Sequence, residues 1–208
     1  TAANYLTRPP KRSDVLSVFA GLRPLAAPRS EGKKTKEISR SHKLIREKSG
    51  LITIIGGKWT TYRKMAQDTL DLAIRYMHIP TKDCITERYQ IHGSRKNPDF
   101  SDPLYVYGTD ADEIRNLVAS SPAMAEKLHP DYAYTVGEVT WLVRNEMPRT
   151  LEDVLARRLR ILFLDARAAM AMAPKVAGIL ATEWGKDETW TSAQVKAFNE
   201  VASNYILN

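Results

Sequence analysis

The stretch that decides the fold reads LITIIGGKWTTYRKMAQDTLDLAIRYM and runs from Leu51 to Met77. Its first five residues are mostly apolar and mostly β-branched, which is the pattern of a buried strand. Gly56 and Gly57 follow, and glycine can adopt backbone angles that are closed to other residues. From about residue 60 to about residue 78, apolar side chains recur at helical spacing. The stretch therefore predicts a strand, a tight turn and a helix.

The start of the predicted helix is a place where negative charge could be held. The first N–H groups of a helix have no partner inside the helix, and its N-terminal end carries partial positive charge. Lys58 adds a full positive charge beside it, and Thr60 or Thr61 can cap the helix. Such a junction is suited to binding an anion. It is also compatible with an ordinary tight turn that carries a surface lysine, so the junction alone leaves both interpretations open.

The composition restricts the class of protein. The chain has 208 residues and a hydrophobic content of 43%, enough for a real core, and its single cysteine excludes an internal disulfide. No apolar run approaches the ~20 residues that span a bilayer. The amino-terminal residues lack the basic-then-apolar layout of a signal peptide, and the first residue is not Met. We expect the sequence to be a piece of a longer protein.

Positive charge is concentrated in the first third of the chain. The net charge is +7, and residues 1–65 hold 15 Lys and Arg against 4 Asp and Glu. Such a balance suggests nucleic acid, an anionic membrane surface or an anionic small molecule as partner. Aromatic residues are sparse in this part and no nucleic-acid-binding motif occurs, so nucleic acid is not the expected partner. The histidines and the cysteine have no metal-ligand spacing, and no metal site is predicted.

Two further elements are predicted before the glycine pair. Residues 15–20 have the pattern of a strand, and Arg23 follows it between a glycine and a proline, where a guanidinium could bind a phosphate or carboxylate or lie as an ordinary surface arginine. Polar and apolar residues alternate on both sides of Gly50, which predicts a hairpin with glycine in its turn. Arg40 and His42 lie two apart in its first strand and therefore share a face.

The rest of the chain has helical signals. Turn-forming residues from about 92 to 102 separate it from the first part. Helix starts are predicted at Thr109, Ser121, Thr135 with Glu138, Thr150, and Thr191 with Gln194. Pro174 should break or restart the helix that opens near Thr150, and Gly185 should end it. The predicted fold is α+β, with a small strand–helix part at residues 1–92 followed by an all-α domain at residues 93–208.

Three motifs in a fixed order carry a family resemblance. They are GLRPL, ISRSHKL and GGKWTTYRKMAQD, and the later segment RTLEDVLARRLRILFLDARAAMAMAPKVAGILATEWG adds to them. Together they resemble the carboxyl-terminal part of the FAD-dependent glycerol-3-phosphate dehydrogenases, over essentially the whole chain. A related flavin oxidase that passes its electrons to oxygen has similar motifs and is the closest alternative.

The resemblance implies a reaction and roles for particular residues. Glycerol 3-phosphate would lose a hydride from C2 to FAD, giving dihydroxyacetone phosphate, and the electrons would pass to a membrane quinone. Arg23 and Arg40 would bind the substrate, and Lys58 would be catalytic. The flavin would be bound by Gly56, Gly57, Lys58, Thr60 and Thr61.

The resemblance also implies a cellular setting. We expect a cytoplasmic protein that associates peripherally with the inner face of a membrane. The resemblance leaves open whether it forms a homodimer. Residues 1–92 would be the end of the catalytic region that binds FAD and substrate. The G-x-G-x-x-G diphosphate loop of such enzymes is missing from this sequence. We therefore expect this chain by itself to lack FAD and activity. A different possibility is that the helical part is an interaction module with no activity of its own.

Overall fold

The computed structural model describes residues 4–22 and 41–207. Its fold is α+β as predicted, with one antiparallel two-stranded sheet and several helices in the described part. The contacts divide the chain into two compact units. Residues 21–91 form the strand–helix unit, and residues up to 20 together with those from 92 onward form the helical unit. The predicted domains differ in placing the first 20 residues with the strand–helix part.

The predicted hairpin is present in the strand–helix unit. Strand β1 (His42–Arg46) pairs antiparallel with β2 (Ile52–Gly56), and the register places His42 opposite Gly56. Gly50 occupies the connecting turn with φ +91°, a conformation that favours glycine. The alternating pattern and the turn glycine therefore identified this element correctly.

Helix α1 (Tyr62–Met77) follows the hairpin after a 3₁₀ turn at Trp59–Thr61. It ends because His78 adopts a left-handed conformation with φ 54° and donates its backbone N–H to the Ile74 carbonyl. The helix thus ends within one residue of the position that the apolar pattern predicts. The guanidinium of Arg46 on β1 lies 4.3 Å from the centre of the Tyr76 ring, so a cation–π contact joins the hairpin to the end of α1.

The strand predicted at residues 15–20 is not formed. The segment is extended and lies against helices of the helical unit, to which it belongs. The Val18 N–H donates to the Tyr205 carbonyl at 2.8 Å, and the Ser17 hydroxyl donates to the Leu162 carbonyl at 2.7 Å. The alternating pattern was that of an extended segment, but a strand also needs a neighbouring strand to pair with, and here the neighbours are helices.

The helical unit contains the core of the described chain. Its helices are α2 (Ala111–Ala119), α3 (Pro122–Ala125), α4 (Val136–Asn145), a π-helical segment (Asp153–Arg158), α5 (Ile161–Leu164), α6 (Ala166–Trp184) and α7 (Glu188–Ser203). Every buried residue of the described part lies between Ala111 and Ala202. Large side chains such as Leu142, Met172 and Phe198 are almost completely buried there.

The long helix predicted after Thr150 is interrupted twice, and not at Pro174. Arg160 adopts a left-handed conformation with φ 60°, and Asp165 is extended and accepts the Ala168 N–H at 2.9 Å as the cap of α6. Pro174 lies inside α6, where it removes one backbone hydrogen bond. Its neighbours Ala173 and Val176 are fully buried, and their packing offsets this loss. Gly185 ends α6 with φ 62°, as predicted.

The start of the last helix was predicted too late in the sequence. Helix α7 begins at Glu188, and its cap is Asp187, which accepts the Trp190 N–H at 2.8 Å. Thr191 lies inside the helix. The side chain of Gln194 accepts the Leu151 N–H at 3.0 Å and so joins α7 to the start of the π-helical segment. Within residues 4–22 and 41–207, no helix is both long and apolar enough to span a bilayer.

Candidate functional site

The glycine pair at the end of β2 has the backbone conformation that its sequence suggested. Gly56 and Gly57 have φ values of +77° and +83°, in the left-handed region. A Cβ atom on Gly57 would lie 2.5 Å from the Met65 sulfur and 3.3 Å from Cβ of His42. The absence of a side chain at this glycine therefore lets strand β1 and helix α1 approach each other closely. This internal packing is a second reason for glycine at position 57, in addition to the backbone angle.

Lys58 is held at the start of the 3₁₀ turn by Thr61. Its backbone is extended and its side chain is exposed. The Thr61 hydroxyl donates to the Lys58 carbonyl at 3.0 Å and lies 3.4 Å from the Lys58 nitrogen, whose N–H it accepts. Thr61 occupies the cap position of α1, but its side chain caps no N–H of that helix. The prediction that the Thr61 side chain caps the helix is thus wrong. Its hydroxyl instead hydrogen-bonds to the Lys58 backbone and closes the turn. Thr60 lies exposed within the same turn.

A cleft of about 300 Å³ opens beside this turn. We call it the basic cleft. It is lined by Ser41, His42, Lys58, Thr61 and Lys64. Two of these residues, Lys58 and Lys64, carry an ammonium group, and His42 carries an imidazole. Such a set of donors suits a phosphate or another anionic oxygen group.

Asp68 connects two walls of the basic cleft. One carboxylate oxygen lies 3.0 Å from Nε2 of His42 on β1, and the other lies 2.9 Å from the Lys64 ammonium, one turn earlier on α1. The hydrogen bond from Lys64 lowers the pKa of Asp68, and the same bond raises the pKa of Lys64. Both groups are therefore charged at neutral pH. The carboxylate fixes His42 and Lys64 at the cleft and leaves Lys58 unengaged by it.

The structure brings together most of the predicted flavin-binding residues. Gly56, Gly57, Lys58 and Thr61 lie at one junction, and Thr60 lies beside them without lining the basic cleft. Arg23 and Arg40, the predicted substrate-binding residues, lie outside the described residues.

Sequence reasoning missed Lys64 and Asp68. Their four-residue spacing on a helix that follows the Gly-Gly-Lys motif was the available signal, because residues four apart are neighbours on a helix surface. What the spacing could not show is that Asp68 also reaches His42, which is 26 residues away in sequence.

Comparison with known proteins identifies a matching family and several similar proteins. The family described as the C-terminal domain of alpha-glycerophosphate oxidase matches residues 51–191. A mitochondrial glycerol-3-phosphate dehydrogenase of Arabidopsis thaliana is 32% identical over 97% of this chain and 39% of its own length. A probable mitochondrial glycerol-3-phosphate dehydrogenase of Caenorhabditis elegans is 36% identical over 94% of this chain and 29% of its own length.

A third relative, the mitochondrial glycerol-3-phosphate dehydrogenase of Mesocricetus auratus, is 31% identical over 94% of this chain and 29% of its own length. The chain thus spans between 29% and 39% of the length of these relatives. The motifs quoted from the sequence, the glycine–lysine junction and these similarities agree. The chain belongs to the glycerol-3-phosphate dehydrogenase family and represents its carboxyl-terminal part.

Proposed function

We propose that the chain is the carboxyl-terminal part of an FAD-dependent enzyme that oxidises sn-glycerol 3-phosphate to dihydroxyacetone phosphate. The observation that carries the proposal is the basic cleft beside the Gly56-Gly57-Lys58 junction, in a chain whose relatives are named glycerol-3-phosphate dehydrogenases. Both the substrate and the cofactor of such a reaction are anionic, which is what a cleft of this composition suits.

The chemistry is the oxidation of a secondary alcohol. The C2–H bond breaks and its electron pair leaves with the hydrogen as a hydride, the hydroxyl loses its proton, and a carbonyl forms at C2. A bound flavin supplies the hydride acceptor. Lys58 would stabilise negative charge on a bound acceptor, because it lines the cleft and its backbone is fixed by Thr61. Arg23 and Arg40 hold the substrate phosphate, which keeps its charge throughout.

The described residues fit part of a flavin site. The cations and the open junction suit an anionic ring edge, but a cleft of about 300 Å³ is smaller than a dinucleotide needs. The strand–helix unit has no buried residue between 41 and 91, and the chain carries no G-x-G-x-x-G motif. The rest of the site belongs to other parts of the enzyme. We therefore expect this chain alone to be colourless after purification and inactive, and a yellow protein with one flavin per chain would contradict this.

A membrane quinone is the electron acceptor in this proposal. Helix α1 and the turn before it expose apolar and aromatic side chains together with cations, which is the composition of elements that lie at membrane interfaces. Trp59 before the helix and Met77 at its last residue are 87% and 64% exposed, and Lys64 and Arg75 are exposed on the helix between them. We propose peripheral association of the whole enzyme with a membrane surface through this region.

An oxidase that uses oxygen is the second candidate. One observation favours it: the description of the matching family names alpha-glycerophosphate oxidase. The two candidates differ in the acceptor. The full-length enzyme with glycerol 3-phosphate would reduce a soluble quinone analogue without forming peroxide if it is a dehydrogenase, and would form one peroxide per substrate if it is an oxidase.

Two substitutions in the full-length enzyme test the assigned roles. Arg23→Ala should raise KM more than it lowers kcat, with a loss of about 2–5 kcal/mol in kcat/KM, because the phosphate charge does not change during the reaction. Lys58→Ala should lower kcat and the flavin midpoint potential with a smaller effect on KM, because its partner charge appears only on reduction.

Steady-state kinetics and a flavin redox titration measure these effects. Lys48→Ala, in the hairpin turn and outside the basic cleft, is the matched control and should change neither. The roles are wrong if Arg23→Ala leaves KM unchanged and Lys58→Ala leaves both kcat and the potential unchanged. The proposed reaction itself is wrong if glycerol 3-phosphate does not reduce the flavin of the unmodified enzyme.

A further inference from the structure

The helical unit contains a pocket that has no part in the proposed reaction. It has a volume of about 370 Å³ and lies between residues 102–104, helix α2 and the first turn of α4. Leu104, Val118, Ala125 and Ala133 give it a mainly apolar lining. Glu138 also lines it, and we call it the Glu138 pocket. Its volume is within the range of small-molecule sites.

Glu138 is buried and does not make the contact that its sequence position predicts. The residue is 4% exposed. As the fourth member of the Thr135 capping box, its carboxylate should return to the Thr135 N–H. Thr135 does accept the Glu138 N–H, at 3.2 Å, but the Glu138 side chain is directed elsewhere, and its Oε1 accepts the Tyr107 hydroxyl at 2.7 Å. Within the described residues, Oε2 accepts no hydrogen bond.

The charges around the pocket do not neutralise this carboxylate. The Tyr107 and Tyr134 phenols approach it, and burial raises the pKa of both, so they stay neutral. Arg115 lines the pocket but pairs with Asp102 and Asp112. No Lys or Arg of the described residues pairs with Glu138. Burial raises the pKa of Glu138 to about 6, so the group is mostly ionised above neutral pH. A buried carboxylate with a spare acceptor atom is stabilised by a cationic donor.

We propose that the Glu138 pocket binds a small molecule with an apolar body and a protonated amine, and that the ammonium donates a hydrogen bond to Oε2 of Glu138. The apolar lining takes the body of the ligand. Asp102 also lines the pocket but is paired with Arg115, so the Glu138 carboxylate fixes the orientation of the amine. This site lies entirely within the helical unit and is independent of the proposed oxidation of glycerol 3-phosphate.

Benzylamine and its neutral analogue benzyl alcohol test the proposal on the 208-residue chain. The measurement is a titration followed by calorimetry and by amide chemical shifts of the pocket residues at pH 7.5. Benzylamine should bind at least ten times more tightly than benzyl alcohol. In Glu138→Gln this preference should fall to about one, and in the unmodified chain it should shrink at pH 5, where Glu138 is protonated. Glu113→Gln removes a carboxylate that accepts the Trp141 indole N–H and lies outside the pocket lining, so it should keep the preference.

A second variant covers the case in which Glu138→Gln does not fold. Ala133→Leu places a larger side chain on an exposed wall of the pocket and should abolish binding of both molecules while Glu138 stays in place. The proposal is overturned if benzylamine does not bind the unmodified chain, if both molecules bind it equally, if Glu138→Gln keeps the preference, or if Ala133→Leu leaves binding unchanged.

Discussion

At the residue scale, two positions show how contacts decide what a side chain does. Gly57 is needed for a backbone angle and for the approach of Met65, so its role is defined by a helix that begins five residues later. Glu138 was predicted as a capping residue but is the buried acceptor of a tyrosine hydroxyl. Both roles follow from neighbours that are absent from the local sequence pattern.

Gly57→Ala should destabilise the strand–helix unit. The left-handed φ of +83° and the 2.5 Å approach of the Met65 sulfur together predict a cost of about 1–3 kcal/mol. Amide hydrogen exchange of the hairpin and of α1 measures it. Gly57→Ala with Met65→Ala should recover only part of the loss, because the backbone strain remains. Gly178→Ala, where an added Cβ meets nothing within 4 Å inside α6, is the control and should be neutral or stabilising.

Glu138 should make the stability of the helical unit depend on pH. Its pKa rises from an ordinary value of 4.5 to about 6 in the folded protein. The folded state therefore binds a proton more readily, and the stabilisation from this group is complete below pH 4.5 and is lost as the pH rises through 6. Between pH 4.5 and pH 7.5, the free energy of unfolding of the unmodified chain should fall by about 2 kcal/mol relative to that of Glu138→Gln. Denaturant unfolding at both pH values measures the difference, and a constant difference would show that Glu138 is not perturbed.

At the element scale, the ends of the helices are decided by geometry that competes with sequence motifs. The Thr135 cap formed where its motif predicted it, whereas the motif at Thr191 lies inside α7 because Asp187 caps the helix four residues earlier. The segment after Thr150 had a continuous helical pattern, yet Arg160 and Asp165 break it into shorter pieces that pack on one another. The helical pattern identified the type of structure but not where the chain turns.

Asp187→Ala and Thr191→Ala distinguish the two possible starts of α7. Asp187→Ala should cost about 0.5–2 kcal/mol, because the Trp190 N–H loses its acceptor. Thr191→Ala should change the free energy of unfolding by less than about 0.5 kcal/mol, since its hydroxyl only donates to the Asp187 carbonyl and alanine has the higher helix propensity. Denaturant unfolding followed by tryptophan fluorescence measures both. Equal costs, or a larger cost at Thr191, would contradict this assignment.

At the scale of the whole molecule, the two units differ in what stabilises them. The buried apolar residues of the described chain belong to the helical unit, and the strand–helix unit is a hairpin with one helix. A two-stranded hairpin is marginally stable in water without further packing. We therefore expect the strand–helix unit to be less stable by itself than the helical unit, which carries its own core.

A chain of residues 92–208 should fold alone. It should be less stable than the helical unit of the longer chain, which also contains the amino-terminal segment with Ser17, Val18 and Phe19. The Phe19 ring lies edge-to-face on Phe163 at 5.1 Å, and Ser17 and Val18 donate hydrogen bonds to the helical unit. Losing the segment should cost at least about 1 kcal/mol, the contribution of one aromatic pair. Near-UV circular dichroism and denaturant unfolding test this, with Phe19→Ala in the longer chain as a comparison. A non-cooperative transition of the shorter chain would show that the helical unit does not fold independently.

The sequence by itself determined the hairpin, the glycine–lysine junction, the helical class of the second half and the family of the chain. These depend on local periodicity, on glycine at positive φ and on short motifs in a fixed order. Each such pattern can be recognised within a few residues of sequence. Only the tertiary structure decided that Asp68 joins His42 to Lys64, that Glu138 is buried beside Tyr107, and that residues 15–20 lie on helices without forming a strand. Apart from the Lys64–Asp68 pair, whose members are four residues apart on one helix, these contacts join residues far apart in sequence. Their formation depends on which surfaces the packed elements bring together, and local patterns carry no information about that.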